Sequence, residues 1–535
     1  MLTYRFAMFD LRAMAPWLVF GLGTVMFGIR SVHGLYFLPF PDETMALLGG
    51  WVINSGGLLY RDFVDNHGPL LFILTAAYGW SGGWAISNFA RLIPVIWALL
   101  AGAAVGFSPL LSGREARLWG VGLFLGLLGS VWLVQGLYLV NYYSISGAQS
   151  VILLALFVVP IWCERSVSPT TAMLAGLVGG ALGFTCYCFM PTVALFGASG
   201  LLIAVARRQC VPIIWFIAGG VIASAAVLLW MAIWGDIRGY LAFHIAFSQT
   251  AYSSYILFGW RTFVSSLDPS LGPAELVHSI ALIAFFSGTI LALGLSIGTH
   301  SHNRAVRAGA CLLGAGGSLL LNARGATIFQ DGTFVMAAFG LLALILPAMV
   351  ERFSQRPRGL ISVARPFGGI VATVCFLCLL VVTEMAARNA ISTPGRMTRA
   401  VMKVQPRYKI ASRVDGPMET RIRQIVRPGE KFLALVFKPE LYWAADRLPI
   451  SGFYEYLPWD ATYAAEQPWF GRPRDLCATL DTSPPVLIYF DNWKVWDRYA
   501  PADYMPCVLR VLDGRYRRSE AFPELYIRSD RYDGG

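Results

Sequence analysis

Residues 211–234, VPIIWFIAGGVIASAAVLLWMAIW, contain no charged side chain. At about 1.5 Å of rise per helical residue, a run of this length crosses the roughly 30 Å hydrocarbon core of a bilayer. Arg207 and Arg208 precede it, and Asp236 and Arg238 follow. Outward from this segment, comparable runs lie at 15–37, 88–110, 117–140, 147–163, 171–190 and 192–206. Beyond it come 275–297, 308–323, 327–350 and 367–387, which makes eleven. The run 68–80 is too short to span and is expected in the interface. The composition agrees: 56% of residues are hydrophobic and 14% charged, against roughly 25% charged in an ordinary globular domain. The expected fold is a polytopic α-helical membrane protein of about eleven transmembrane helices.

The basic residues set the expected topology. All 19 before position 388 are Arg. With the N-terminus inside, the short inner loops hold Arg5 and Arg12; Arg114 and Arg117; Arg165; Arg207 and Arg208; Arg304 and Arg307; and Arg352, Arg356, Arg358 and Arg365. That is 13, against six (Arg30, Arg61, Arg91, Arg238, Arg261, Arg324) in much longer outer stretches. Cytoplasmic loops collect Lys and Arg, so the N-terminus is expected in the cytoplasm and the C-terminal part outside. Counting 68–80 as a twelfth span would turn most of the Arg-rich loops outward. No small-residue cleavage site follows Arg5 and Arg12, so the first run is expected to be retained. The net charge of +11 is largely this topology signal, and no basic, aromatic-interleaved stretch points to nucleic acid.

Two organisational units follow. Residues 1–387 form the transmembrane unit, with long outer loops at 38–87 and 235–274. Residues 388–535 hold all five Lys and read as a soluble α/β domain, with strands expected over 432–437, 486–490 and 524–528. Cys477 and Cys507 lie in it and can pair in an oxidising compartment; unpaired thiols are the alternative.

The first outer loop carries the densest chemistry. Residues 39–70 read PFPDETMALLGGWVINSGGLLYRDFVDNHGPL, with four acids: Asp42, Glu43, Asp62 and Asp65. Leu47, Leu48, Trp51 and Val52 recur at helical spacing, which predicts an amphipathic helix in the outer interface, ended by Gly56 and Gly57. Asp42 follows Pro41 and suits an N-cap. Neighbours on a helix point about 100° apart, so Asp42 and Glu43 cannot face one centre equally; Asp42 is the favoured base. Asp62 and Asp65 are candidates for a divalent metal, a weak signal at this spacing. No other cofactor is indicated. His244, Tyr252, Tyr255 and Trp260 in the second outer loop are candidates to touch sugar or lipid. His300 and His302 read as a solvated inner turn.

This loop resembles that of the glycosyltransferase C superfamily, near the bacterial protein O-mannosyltransferase-like and lipid A aminoarabinose transferase-like enzymes. Asp42–Glu43 match an Asp-Glu pair after the first span, and Asp65-Asn66-His67-Gly68-Pro69 matches an acid-x-Lys-Pro-Pro-like turn. His67 stands where that family often has Lys, and Gly68 where it has Pro. The segment Asn322-Ala-Arg-Gly resembles the start of a late span whose Arg lies near the lipid phosphate. Lys438-Pro-Glu-Leu-Tyr-Trp-Ala-Ala-Asp-Arg resembles a recurring strand-to-helix segment. The turn at Phe189–Pro191 lacks a Lys that many members carry, and 141–149 lacks a second acid. The resemblance implies sugar transfer from a polyprenyl-phosphate donor to a glycan, glycolipid or protein acceptor at the outer face of the bacterial inner membrane, among membrane lipid. Asp42, Glu43 and Asp65 are the implied catalytic residues; Arg324, Arg91, His67 and Arg61 are the implied cations around the donor phosphate, where charge develops. The competing class is a transporter or flippase of lipid-linked sugars, which would place ionisable groups at mid-bilayer. A third is a non-catalytic assembly protein.

Overall fold

A computed structural model describes residues 11–35, 41–80, 90–130, 139–185, 190–247, 250–255, 309, 314, 332–354, 416–466, 474–495 and 497–532. The expected spans 275–297 and 367–387, nearly all of 308–323, and the residues Trp260, His300, His302 and Arg324 lie outside them.

The N-terminal part is helical. Its elements are α1 (Leu11–Gly34), α2 (Pro41–Asn54), α3 (Pro69–Trp80), α4 (Leu92–Gly106), α5 (Arg114–Ser130), α6 (Tyr142–Trp162, with a π-helical stretch over Leu154–Val158), α7 (Pro169–Gly183), α8 (Met190–Ala206), α9 (Cys210–Trp234) and α10 (Gly332–Ser354). Segments Met14–Val32, Tyr142–Trp162 and Cys210–Trp234 are long and apolar enough to cross a membrane. Pro69–Trp80, Leu92–Gly106, Pro169–Gly183, Ala194–Ala206 and Val335–Glu351 are shorter apolar helices. Helix α4 stops several residues short of the expected 88–110 at both ends, whereas α5 starts earlier than 117 because Arg114 and Glu115 join its first turn.

Burial orders these helices. The segment Tyr142–Trp162 is buried along its whole length and forms the centre. On α1 and α9, by contrast, Leu18, Leu22, Val25, Ile214, Val221 and Leu229 are exposed, as expected where lipid rather than water is the surroundings. In lipid, helices associate through close packing, which small residues allow. A Cβ on Gly176 of α7 would lie 2.0 Å from the Phe216 carbonyl of α9, and one on Gly23 of α1 would lie 2.0 Å from the Gly122 carbonyl of α5. Both pairs touch backbone to backbone, so any larger side chain at these positions would push the helices apart.

Contacts sort by helix end as an alternating course requires. At one end Ser112 bonds Glu351 and Arg207 donates to the Glu164 carbonyl. At the other, Gly34, Glu43, Leu59, Gly68, Arg91, Val140, Thr185 and Trp234 are joined by hydrogen bonds.

The C-terminal part contains a four-stranded sheet of β1 (Leu433–Leu435), β2 (Leu487–Phe490), β3 (Tyr516–Arg518) and β4 (Leu525–Arg528), in the order β1-β2-β4-β3. Strands β1 and β2 are parallel, and the other pairs are antiparallel. Three strands lie inside the expected runs. β3, Tyr-Arg-Arg, has only Tyr516 facing the interior and carries too little alternation to be seen. Helix α11 (Glu440–Ala445) follows β1, as expected for the 438–447 segment, and ends on Asp446 in the left-handed region at φ 57°. Further helices are α12 (Pro458–Glu466), α13 (Leu476–Thr482) and α14 (Pro506–Arg515).

Cys477 and Cys507 are disulfide-bonded, with Cα atoms 5.8 Å apart across a sequence separation of 30. The bond ties α13 to α14. By the loop-entropy account, closing a loop of this length is worth about 3–4 kcal/mol. Reduction, or Cys507→Ser, should therefore lower the apparent melting temperature of the C-terminal part; a melting curve indifferent to reductant would show that the bridge contributes nothing.

The helix expected to lie amphipathically in the interface is differently placed. Helix α2 is buried on nearly all sides from Glu43 to Ile53, packed between α3 and α11. The C-terminal part covers the face that was expected to meet headgroups. One apolar cluster accordingly runs from Leu47 and Phe63 to Tyr442 and Tyr454.

Candidate active site

The first loop turns back on itself at residues 55–68. Gly56 (φ +84°) ends α2 and Tyr60 follows at φ +64°. The Leu58 N–H donates to Asp62 at 2.9 Å, and Tyr60 N–H donates to the Phe63 carbonyl at 2.7 Å. The loop is then stitched to two other segments. Leu59 donates to the Trp234 carbonyl and Val64 to the Gly452 carbonyl. Gly68 is the contact point with the end of α7, where its N–H meets the Thr185 carbonyl at 3.1 Å. A Cβ there would lie 2.0 Å from the Phe184 carbonyl, which explains a glycine at this position.

Asp65 and His67 form a pair inside this turn. Asp65 Oδ1 accepts the His67 backbone N–H at 2.6 Å and lies 2.5 Å from His67 Nδ1. Asp65 Oδ2 accepts the Tyr454 hydroxyl hydrogen bond from the C-terminal part. The His67 ring stacks on Tyr142 at 4.2 Å, and its carbonyl accepts from Tyr60 Oη at 2.5 Å. Burial pushes the Asp65 carboxyl up, but the His67 charge and the hydrogen bonds from His67 and Tyr454 outweigh it and leave it below its ordinary value. Asp65 is thus an orienting carboxylate.

Asp42 faces the same pair. Pro41 is the first residue of α2, so Asp42 sits in the first turn rather than at the N-cap, in keeping with the preference of Pro for the first helical position. The side chain keeps some contact with solvent, yet the protein around it desolvates the carboxylate strongly. That burial pushes its pKa to about 6; the His67 charge opposes the rise and the Asp65 charge adds to it. A carboxylate with a pKa near 6 is ionised at neutral pH and more basic than an ordinary one, which suits a general base.

Glu43 and Arg91 are placed elsewhere. Arg91 donates Nε to Glu43 Oε1 at 2.8 Å, Nη2 to Oε2 at 2.6 Å and Nη1 to the Gly34 carbonyl at 2.8 Å. Glu43 Oε1 also accepts the Val140 N–H at 3.1 Å. Both side chains are almost fully buried. This forked pair ties the end of α1 to the starts of α2 and α4. Glu43 and Arg91, expected at the catalytic centre and at the donor phosphate, engage each other in this arrangement. Arg61 pairs with Asp62 at 2.6 Å on the exposed rim. The carboxylates of Asp62 and Asp65 are taken up by different partners, and among the described residues no group of three metal-ligating side chains occurs.

His244 and a set of C-terminal residues complete the surroundings. His244, in a π-helical turn over Leu241–Ala246, is buried with Nδ1 2.9 Å from the Asn66 carbonyl. Burial lowers its pKa to about 4, so it is a neutral partner that fixes Asn66. Tyr255 bonds Thr462 and the Pro458 carbonyl, and Tyr252 stacks edge-on to Trp459; both dock the second loop on α12. Tyr454, Glu455, Asp460 and Arg474 were not anticipated. The only trace in the sequence is the aromatic- and acid-rich run 452–460, GFYEYLPWD, which an ordinary soluble domain also tolerates.

No protein-family model matches the chain, and no curated protein matches it. A solved structure to which it is similar is the cryo-EM structure of arabinosyltransferase EmbB from Mycobacterium smegmatis, at 13% identity and a TM-score of 0.42, over 73% of this chain and 42% of that one. The chain spans about two fifths of that protein's length.

Proposed function

We propose that the chain is a membrane glycosyltransferase of the glycosyltransferase C superfamily. In this reading it moves a sugar from a polyprenyl-phosphate donor to an envelope acceptor at the outer face of the bacterial inner membrane. The N-terminus is then cytoplasmic, and the C-terminal part is periplasmic or otherwise extracytoplasmic, where its disulfide is at home. The observation that carries the reading is the cluster of Asp42, Asp65 and His67 at one end of a bundle of apolar helices. It joins a carboxylate of raised basicity to an oriented imidazole.

The chemistry follows from these positions. Asp42 takes the proton of the acceptor hydroxyl as its oxygen attacks the anomeric carbon. The bond from that carbon to the phosphate oxygen breaks, its electron pair leaves with polyprenyl phosphate, and configuration inverts. Phosphate needs no acid catalyst to leave but does need positive charge nearby. His67, held against Asp65, is the candidate hydrogen-bond donor to that phosphate. Arg324, outside the described residues, is retained as the second. Arg91 and Arg61 are not assigned this role, since their guanidinium groups are engaged by Glu43 and Asp62.

The test uses the full chain in nanodiscs with polyprenyl-phosphate-linked sugars and envelope glycolipid. We expect donor consumption with release of polyprenyl phosphate. His67→Ala should slow it about 100- to 1,000-fold, a loss of the size that follows removal of one transition-state donor, and His67→Lys should recover a large part. Passage of intact donor across a liposome bilayer without release of polyprenyl phosphate would replace this reading with a flippase.

A further inference from the structure

Asp65 is gripped from two sides. Its Oδ1 takes the backbone N–H of His67 and lies against His67 Nδ1, while Oδ2 takes the hydroxyl of Tyr454 from the C-terminal part. The torsion that turns an aspartate carboxylate is broad and has no sharp preference of its own. Its partners must therefore set it. With Oδ2 held by Tyr454, Oδ1 is aimed at the imidazole; without that hydroxyl, the carboxylate would be held from the His67 side alone.

A rigid line of contacts delivers the hydroxyl. Tyr454 is fully buried, and its ring stacks on Phe63 of the first loop with centroids 4.5 Å apart. Two residues earlier, the Gly452 carbonyl accepts the Val64 N–H at 3.4 Å. Gly452 has φ +78°, and a Cβ there would lie 2.8 Å from the Arg61 carbonyl, so glycine lets the two backbones close up. On its other side this segment is tied to the sheet. Tyr442 Oη accepts the Ala434 N–H of β1 at 2.7 Å and donates to the Phe453 carbonyl at 3.3 Å. The contacts thus run from β1 through Tyr442, Phe453 and Tyr454 to Asp65 and His67.

Packing alone does not call for the last link. Phenylalanine at position 454 would keep the buried ring and its stack on Phe63. What the hydroxyl adds is a hydrogen bond to the carboxylate that orients His67.

We propose that Tyr454 is a positioning residue for sugar transfer: by fixing the Asp65 carboxylate it sets the direction of the His67 ring, and the C-terminal part thereby completes the active site. This role rests on the glycosyltransferase reading, which gives His67 its place at the phosphate. Tyr454 acts through Asp65 and touches neither donor nor acceptor. Its hydroxyl should therefore matter to kcat and not to donor affinity.

The test is Tyr454→Phe in the full chain in nanodiscs, which keeps the ring and removes only the hydroxyl. With polyprenyl-phosphate-linked sugar as donor, kcat should fall about 10- to 100-fold, the upper figure being the cost of a misplacement of about 1 Å. Folded yield and donor KM should stay close to those of wild type. A double-mutant cycle then separates positioning from bulk structure, because residues that act as a unit are not additive. In a His67→Ala chain, adding Tyr454→Phe should change the rate little. A loss as large in that chain as in wild type shows a merely structural role and overturns the assignment, as does an unchanged kcat or a loss confined to KM. A third readout needs no turnover. The chain has six His, and in isotope-labelled protein the NMR signal of His67 is the one that disappears in His67→Ala. This signal should shift in Tyr454→Phe. A signal that stays in place overturns the assignment whatever the activity. A shifted signal in a chain whose wild type consumes no donor would keep Tyr454 as the residue that positions His67 and remove the transferase reading.

Discussion

Asp42→Asn should reduce sugar transfer by about 10²- to 10⁴-fold, the range supplied by a positioned general base, while the chain still folds and binds donor. Asn fills nearly the same volume and removes only the basicity. The environment of the carboxylate gives a second signature. Because burial lifts Asp42 to about 6, the wild-type rate should fall about tenfold per pH unit below that value and level off above it. An unperturbed aspartate would keep its rate down to about pH 4. The same shift fixes the sign of the stability effect. A carboxyl whose folded pKa is raised favours folding in its protonated form, and this contribution is lost as pH rises through about 6. Removing the charge as Asn should therefore not destabilise the protein near neutrality. Rate measurements across pH 4.5–8 with a melting curve for each variant separate the two effects. Full transfer by the Asp42→Asn chain, or an acid limb centred near pH 4, would move the base elsewhere, first to Asp65.

How much of this was legible depends on the range of each interaction. Charge-free runs such as 211–234 are read directly, because a bilayer imposes a length on one continuous segment, and α9 occupies Cys210–Trp234. Asp65 and His67 could be singled out because they act across two residues, within one turn. Nothing in the first loop shows that Glu43 will meet Arg91, 48 residues away, or that Asp65 will meet Tyr454, 389 residues away. The amphipathic reading of α2 failed for the same reason. Leu47, Leu48, Trp51 and Val52 at helical spacing read as the apolar face of a surface-lying helix until the C-terminal part is brought down on it. Gly50 admits the Thr75–Ala76 backbone of α3, which a Cβ would approach to 2.7 Å.

The largest structural effect is expected at the Glu43–Arg91 pair. Breaking a buried ion pair from one side leaves an uncompensated charge and costs about 3–5 kcal/mol. Arg91→Ala strands the Glu43 carboxylate and leaves the Gly34 carbonyl without its guanidinium donor. We expect that variant to be poorly folded, with low yield from membranes and early thermal aggregation. Loss of activity in Arg91→Ala alone therefore says nothing about donor binding, and a compensated variant is needed. Glu43→Gln with Arg91→Met removes both charges, keeps an acceptor for the Val140 N–H at Glu43, and fills the space of the guanidinium stem. Replacing a buried pair by neutral groups of similar volume is often nearly neutral for stability, so the double variant should recover most of the folded yield. If the pair serves only to hold α1, α2 and α4 together, transfer should recover with the yield, and the KM for the polyprenyl-phosphate donor should stay close to that of wild type. A well-folded double variant with a donor KM raised tenfold or more would return Arg91 to the donor site, with the forked pair as the state that the phosphate displaces.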